Sequence, residues 1–197
     1  PLVFGLDPAR FGVDRTALLA RRGRCVTLLE TWRNQDLMYT ASRTSELINN
    51  LAPQAVFVDV VGLGSGVVDR LRQLGHSVIG VNSGSRPRRP DKYANLKAEM
   101  WANMRDWLKD GAAIPNDQSL RADLLAPLYD YDHSGRLKTE GRNDWKRLGL
   151  PSPTLAAPRV WTFARPVAAT PVLSRRPGFA GWNGWCGAWF RICAAST

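Results

Sequence analysis

Two aspartates lie in apolar segments of this 197-residue sequence, where a carboxylate is unusual. Asp7 ends the segment Leu2–Asp7, and Asp59 lies within the segment Ala55–Val61. A strand that is apolar on both faces rarely contains a carboxylate, because burying the charge costs several kcal/mol unless it is paired or binds a metal. If the two strands were neighbours, a divalent cation between the carboxylates would remove their repulsion. Oxygen ligands of this kind favour Mg²⁺ or Mn²⁺.

The alternative role of both aspartates is structural. Asp7 precedes Pro8, and Asp-Pro is a turn signal, while Asp59 could pair with an arginine. The two histidines, His76 and His133, are isolated in the sequence, so neither predicts a metal ligand. No motif for a Ser-His-Asp nucleophile is present either. The residues alone therefore leave a metal site and a structural role open.

The elements that must position these aspartates follow an α/β pattern. The first three strands are joined by short turns and are therefore antiparallel neighbours, whereas the later strands are joined through helices and run parallel. We predict a mixed five-stranded sheet with helices on both faces, which is the RNase H-like layout. The predicted strands are Leu2–Asp7, Thr16–Arg22, Arg24–Trp32, Ala55–Val61 and Ser77–Val81. The predicted helices are Met38–Leu51, Val67–Leu74, Ala94–Leu108 and Leu120–Leu128. A hairpin is predicted over Tyr129–Lys138.

A glycine-rich loop, Gly62-Leu63-Gly64-Ser65-Gly66, joins the fourth strand to the next helix. It resembles a loop that cradles phosphate, but it lacks the complete GxGxxG pattern and the Lys-Ser/Thr of a P-loop. A tight turn between strand and helix is the favoured interpretation.

Positive charge dominates the composition, with 27 Lys+Arg against 17 Asp+Glu and a net charge of +10. Such a balance favours an anionic partner, most often nucleic acid. A basic loop follows the fifth strand, and we expect it to be mobile, to lie near the acidic pair and to contact DNA phosphates. A solvated loop without a partner is the alternative. The residues proposed to bind DNA are Arg86, Arg88, Arg89 and Lys92 of this loop and Lys97 of the following helix.

The C-terminal part of the sequence differs in composition from the rest. Residues 151–197 contain five arginines, no acidic residue and four of the eight tryptophans. We predict one RNase H-like domain over residues 1–167 and an irregular, basic, Trp-rich tail over 168–197. An unstructured or mistranslated tail is favoured over one that stacks on single-stranded nucleic acid. No apolar run approaches the roughly 18 residues of a membrane helix, so no membrane partner is expected.

Two stretches resemble motifs of the nuclease domain of the large terminase subunit of tailed bacteriophages. They are GLDPARFGVDRTA at 5–17 and VDVVGLGSGVVDRL at 58–71, which occur in the order and spacing of that family. NLKAEMW at 95–101 and RLGLPSP at 147–153 resemble later parts of the same domain. The resemblance covers about residues 2–167, and the first two motifs together carry most of its specificity.

The resemblance implies a function and a set of partners. The family's nuclease has an RNase H-like fold and uses two Mg²⁺ or Mn²⁺ ions to cut concatemeric double-stranded DNA during genome packaging, with Asp7 and Asp59 as metal ligands here. Its expected partners are an ATPase motor domain, the portal and the small terminase subunit, in the cytoplasm of the bacterial host. No Walker motif is present, and the sequence begins without Met, so we expect either the nuclease part alone of a longer protein or a partial reading frame.

The sequence departs from the family where the third acidic metal ligand is expected. The two positions for that ligand, after Ser152-Pro153, are occupied by Thr154 and Ala157, and Pro158 is expected to break the helix that should present it. Glu140 and Asp144 lie upstream and are possible substitutes. A catalytically impaired remnant that at most binds DNA is therefore the alternative to an active nuclease. Another RNase H-like enzyme, such as a junction resolvase, is a weaker rival.

Overall fold

A five-stranded sheet with helices on both faces forms the core of the protein. The structure is a computed structural model that describes residues 1–9, 15–139 and 156–168. The strands are β1 (Leu2–Asp7), β2 (Thr16–Arg22), β3 (Cys25–Trp32), β4 (Ala55–Asp59) and β5 (Ile79–Val81), with a separate hairpin of β6 (Tyr129–Tyr131) and β7 (Leu137–Thr139). The helices are α1 (Leu37–Leu51), α2 (Gly64–Gln73), α3 (Leu96–Lys109), α4 (Gln118–Leu125) and α5 (Ala157–Trp161).

The strand order of the sheet is β3-β2-β1-β4-β5. The pairs β1–β2 and β2–β3 are antiparallel, whereas β1–β4 and β4–β5 are parallel. This confirms the predicted mixed sheet and its RNase H-like layout. The hairpin predicted around residues 134 and 135 is also present, as β6 pairs with β7 in an antiparallel register.

Each face of the sheet is covered by a different pair of helices. Alternate residues of a strand lie on opposite faces, so Leu6 and Val58 pack with α1 and α2, whereas Val3 and Phe57 pack with α3 and α5. The buried helical residues of the first cluster are Ala41, Val67, Val68 and Leu71, and those of the second are Met100, Met104, Val160 and Trp161. The prediction of helices on both faces is confirmed.

The end of β4 differs from the prediction, because the strand stops at Asp59 and does not continue to Val61. The Asp59 carboxylate accepts a hydrogen bond from the Val61 amide (Oδ1···N 2.9 Å), and Gly62 then turns the chain with φ of +81°. Helix α2 starts at Gly64, three residues before the predicted start. Asp59 therefore occupies the last position of its strand, as Asp7 does in β1.

Several sequence predictions concern residues outside the described part of the chain. These residues are Arg10–Asp14 of the first motif, Glu140, Asp144, Thr154 and the tail from 169 onward. The division at 167/168 and the irregular tail therefore remain predictions. None of the described helices combines the length and the apolar composition of a bilayer span.

Candidate metal centre

The register of the parallel pair β1–β4 brings the two aspartates together. Leu6 of β1 pairs with Val58 of β4, and the next residue of each strand is Asp7 and Asp59 respectively. Neighbouring strands lie about 4.8 Å apart, so the two residues are side by side at the carboxyl ends of their strands. Both alternate with residues that pack towards α1 and α2, so both lie on the face of α3 and α5. The structure thus brings this predicted pair together on one face.

The turn that leads into α2 holds Asp59 in place. The Asp59 carboxylate is fixed by the Val61 amide, and the Asp59 carbonyl lies directly against Gly64. A Cβ atom at Gly64 would overlap that carbonyl oxygen, and Pro8 packs on the same glycine. The glycine loop therefore acts as a close-packed turn that fixes Asp59, which is the interpretation favoured from the sequence.

Helix α5 lies across β1 on the face of the sheet that carries the acidic pair. A Cβ atom at Gly5 would overlap the carbonyl oxygen of Pro158, so the helix backbone rests on this glycine. At the other end of the helix, Thr162 bonds Arg21 of β2, which pairs with Val3. The methyl group of Thr162 also contacts Gly5. Helix α5 therefore lies over the middle of β1, on the same face of the sheet as the acidic pair.

The expected helix break at Pro158 is wrong. Pro158 lies in the first turn of α5, after an N-cap at Ala156. A proline is tolerated there because the first amides of a helix have no partner within the helix, and its φ already suits the helix. The short helix therefore forms despite the proline, and Ala157 at its first position carries no carboxylate.

Within residues 1–9, 15–139 and 156–168, no group of three or more His, Cys, Asp and Glu side chains is arranged to hold a metal ion. The donor set at the sheet edge is thus the pair Asp7 and Asp59. Two carboxylates suit a hard divalent cation, but they are fewer anionic ligands than a two-ion site uses. The possible substitutes Glu140 and Asp144 lie outside the described residues.

The basic loop begins beside the acidic pair and then turns away from it. Val81, the last residue of β5, pairs with Asp59. Further along, the Arg88 amide donates to the buried carboxylate of Glu99 on α3 (N···Oε2 2.6 Å), and the Arg89 side chain bonds Glu99 and Asn103. The Arg88 amide and the Arg89 side chain thus tie the loop to a buried carboxylate of α3, and the mobility of the loop stays a prediction. Of the other basic residues, Arg86 and Lys92 are exposed, and the amide of Lys97 bonds the carbonyl of Ser83.

A buried arginine that the sequence analysis did not single out anchors α5. Arg159 is 3% exposed, and burial lowers its pKa to about 10, an effect that the carboxylates of Asp117 and Asp123 oppose. Both aspartates belong to α4 and its N-cap, so the charges tie α5 to α4. No local pattern in the sequence indicated this role, because Arg159 lies in the stretch that departs from the family pattern.

The architecture around this site matches solved nuclease structures. The nuclease domain of the large terminase subunit gp2 of bacterial virus Sf6 superposes with a TM-score of 0.67 at 18% identity, covering 84% of this chain and 89% of that one. The large terminase nuclease of thermophilic phage G20c with bound magnesium superposes with a TM-score of 0.62 at 16% identity, covering 83% and 80%. The chain has the large terminase nuclease fold.

The matches to known proteins come from the comparison of structures. No family model matches the sequence, and no curated protein matches it. Other structures of the Sf6 domain contain manganese or calcium, and others of the G20c nuclease contain cobalt or zinc. Divalent metals therefore accompany this fold in proteins whose sequences differ widely from this one.

Proposed function

We propose that this chain is the divalent-metal-dependent DNA endonuclease domain of a phage large terminase, with an incomplete metal site. The observation that carries the proposal is the placement of Asp7 and Asp59, side by side at the carboxyl ends of two parallel strands. The terminase nuclease fold around them and the net charge of +10 support it. The substrate would be concatemeric double-stranded DNA, cut during genome packaging in the host cytoplasm, with the ATPase motor, the portal and the small terminase subunit as partners.

In this proposal the residues of the chain have separate tasks. Asp7 and Asp59 would hold Mg²⁺ or Mn²⁺, which when bound lowers the pKa of water and stabilises the leaving oxygen of a phosphodiester. The Val61 amide keeps the Asp59 carboxylate in position, and the contact of Gly64 with Asp59 fixes the backbone beneath it. Prearranged carboxylates of this kind bind a cation without paying to order two side chains.

The second candidate function is that of a remnant that binds DNA without cutting it. It is supported by Ala157, which occupies one of the two positions expected for the third ligand and offers no ligand atom. A second metal ion held without a further carboxylate would dissociate readily, since each anionic ligand contributes to affinity. We therefore expect slow cleavage by this chain. A remnant with no cleavage at all is the extreme case of the same loss of metal affinity.

Nicking of supercoiled plasmid DNA in the presence of Mn²⁺ tests the enzymatic proposal. We expect slow nicking by the parent chain that Asp59→Asn eliminates, because the variant removes one of the two charges that attract the metal. Asp69→Asn is the matched control, since Asp69 is an exposed residue of α2 on the opposite face of the sheet. Equal nicking by the parent and Asp59→Asn would contradict the proposal. No nicking by either the parent or Ala157→Asp would favour the remnant.

A further inference from the structure

An open cleft of about 460 Å³ lies at the C-terminal end of α5, away from the acidic pair. Four arginines line it, and they come from β2, from the basic loop and from the segment after α5. We call it the arginine cleft, and the residues that define it are Arg21, Arg88, Arg89, Glu99, Phe163 and Arg165. Of the four arginines in the cleft, Arg88 and Arg89 were among the residues predicted to contact DNA. Arg21 and Arg165 were not predicted and extend that surface.

The charge in the arginine cleft is unbalanced. Its one carboxylate, Glu99, is already bound to Arg89 (Nε···Oε1 3.4 Å) and to the Arg88 amide. Arg89 is also held by Tyr93 and Asn103, so its position is fixed. The side chains of Arg88 and Arg165 form no hydrogen bond or ion pair with any part of the chain that the structure describes. Three guanidinium groups therefore face the cleft without a carboxylate partner among the described residues.

Arg21 is the fixed cation at the back of the cleft. Its Nε donates to the Thr162 hydroxyl and its Nη2 to the Thr162 carbonyl, both at 2.9 Å, and its guanidinium lies 4.5 Å from the centre of the Phe163 ring. All three partners are neutral, and burial lowers the pKa of Arg21. A partly buried cation with only neutral partners gains most from an anion that approaches from the open side.

We propose that the arginine cleft binds a phosphate group of the DNA backbone, with Arg21, Arg88 and Arg165 as the donors. The choice of DNA as the source of the phosphate rests on the proposed function. Arg21 pairs with Val3, four residues before Asp7 on the same face of the sheet. Four residues of strand span about 13 Å, which equals roughly four base pairs of B-DNA. A duplex anchored in the cleft and running along the direction of β1 would reach the acidic edge.

Binding of a fluorescent duplex to the full chain in EDTA tests the cleft without any metal. The test variant is Arg88→Gln with Arg165→Gln, because both side chains are exposed and their loss should leave the fold intact. The matched control is Arg33→Gln with Arg72→Gln, two exposed arginines distant from the cleft that give the same change in charge. We expect the test variant to bind at least tenfold more weakly, with a salt dependence shallower by about one to two units of slope. The control should retain the parent's affinity and slope.

The outcomes separate the cleft from the proposed function. If the test and control variants lost duplex affinity equally, or if neither lost any, the proposed role of the cleft would be overturned. The nuclease proposal would be unaffected. A parent that binds no duplex would overturn both. Calorimetric titration with inorganic phosphate distinguishes a DNA phosphate from a small phosphate ligand. If the parent bound inorganic phosphate saturably at micromolar concentration and the test variant did not, the cleft would be assigned to a small phosphate ligand. That result would overturn the assignment to DNA.

Discussion

Ala157→Asp is expected to raise cleavage of linear duplex DNA in Mn²⁺ by about a hundredfold. The substitution places a carboxylate at the first position of α5, which is one of the two positions expected for the third metal ligand. An aspartate is also favourable at a helix N-terminus, so the helix should tolerate the change. Since Pro158 already fits the first turn, no second substitution is needed. The measurement is the initial rate of cleavage by parent and variant at equal protein and metal concentration.

Ala157→Asn is the matched control for this gain, because it adds the same volume without the charge. We expect it to cleave at the parent's rate, and we expect Asp59→Asn to remove the activity of the Ala157→Asp chain. An equal gain from asparagine would show that a polar contact, and not a metal ligand, is responsible. Fast cleavage by the parent that Asp59→Asn abolishes would show that another residue, Glu140 or Asp144, completes the site.

Gly64→Ala is expected to lower the free energy of unfolding by about 2 kcal/mol and to weaken Mn²⁺ binding as well. The added methyl would overlap the carbonyl oxygen of Asp59, so the backbone under the metal ligand must move. Overpacking costs about 1–3 kcal/mol, which outweighs the gain of up to about 1 kcal/mol from replacing glycine in a helix. Urea unfolding gives the stability, and calorimetric titration gives the affinity for Mn²⁺.

Gly84→Ala provides the control for the glycine experiment. A Cβ there would meet only the Asn82 side chain at 3.4 Å, which is an ordinary contact. The control should therefore change neither stability nor Mn²⁺ affinity by a measurable amount. If Gly64→Ala behaved like Gly84→Ala, the tight contact of Gly64 with Asp59 would not be what holds the ligand in place.

The sheet could be predicted from the sequence because its strands carry strong local signals. Leu2–Asp7 and Thr16–Arg22 were predicted with the bounds that the structure gives them, since apolar runs ending at a charge or turn define a buried strand. The juxtaposition of Asp7 and Asp59 was predicted from their equivalent positions in two apolar strands, and the register of β1 with β4 places the two residues side by side.

The features that the sequence did not reveal depend on contacts between distant segments. Pro158 was expected to break a helix, and only the structure shows that it starts one. Arg21 lies in a strand whose inward positions are otherwise apolar, but its partners Thr162 and Phe163 are about 140 residues away. The buried Glu99 likewise holds the basic loop through the fold and not through local sequence. No local pattern encodes such pairings.

Crystals of the chain soaked in MnCl₂ would locate the metal directly through its anomalous scattering. We expect a peak at the carboxyl edge of β1 and β4, about 2.1 Å from carboxylate oxygens of both Asp7 and Asp59. The peak should disappear in Asp59→Asn crystals treated in the same way. A map without a peak at this edge, or with manganese bound only elsewhere, would contradict the claim that the two aspartates form a metal site.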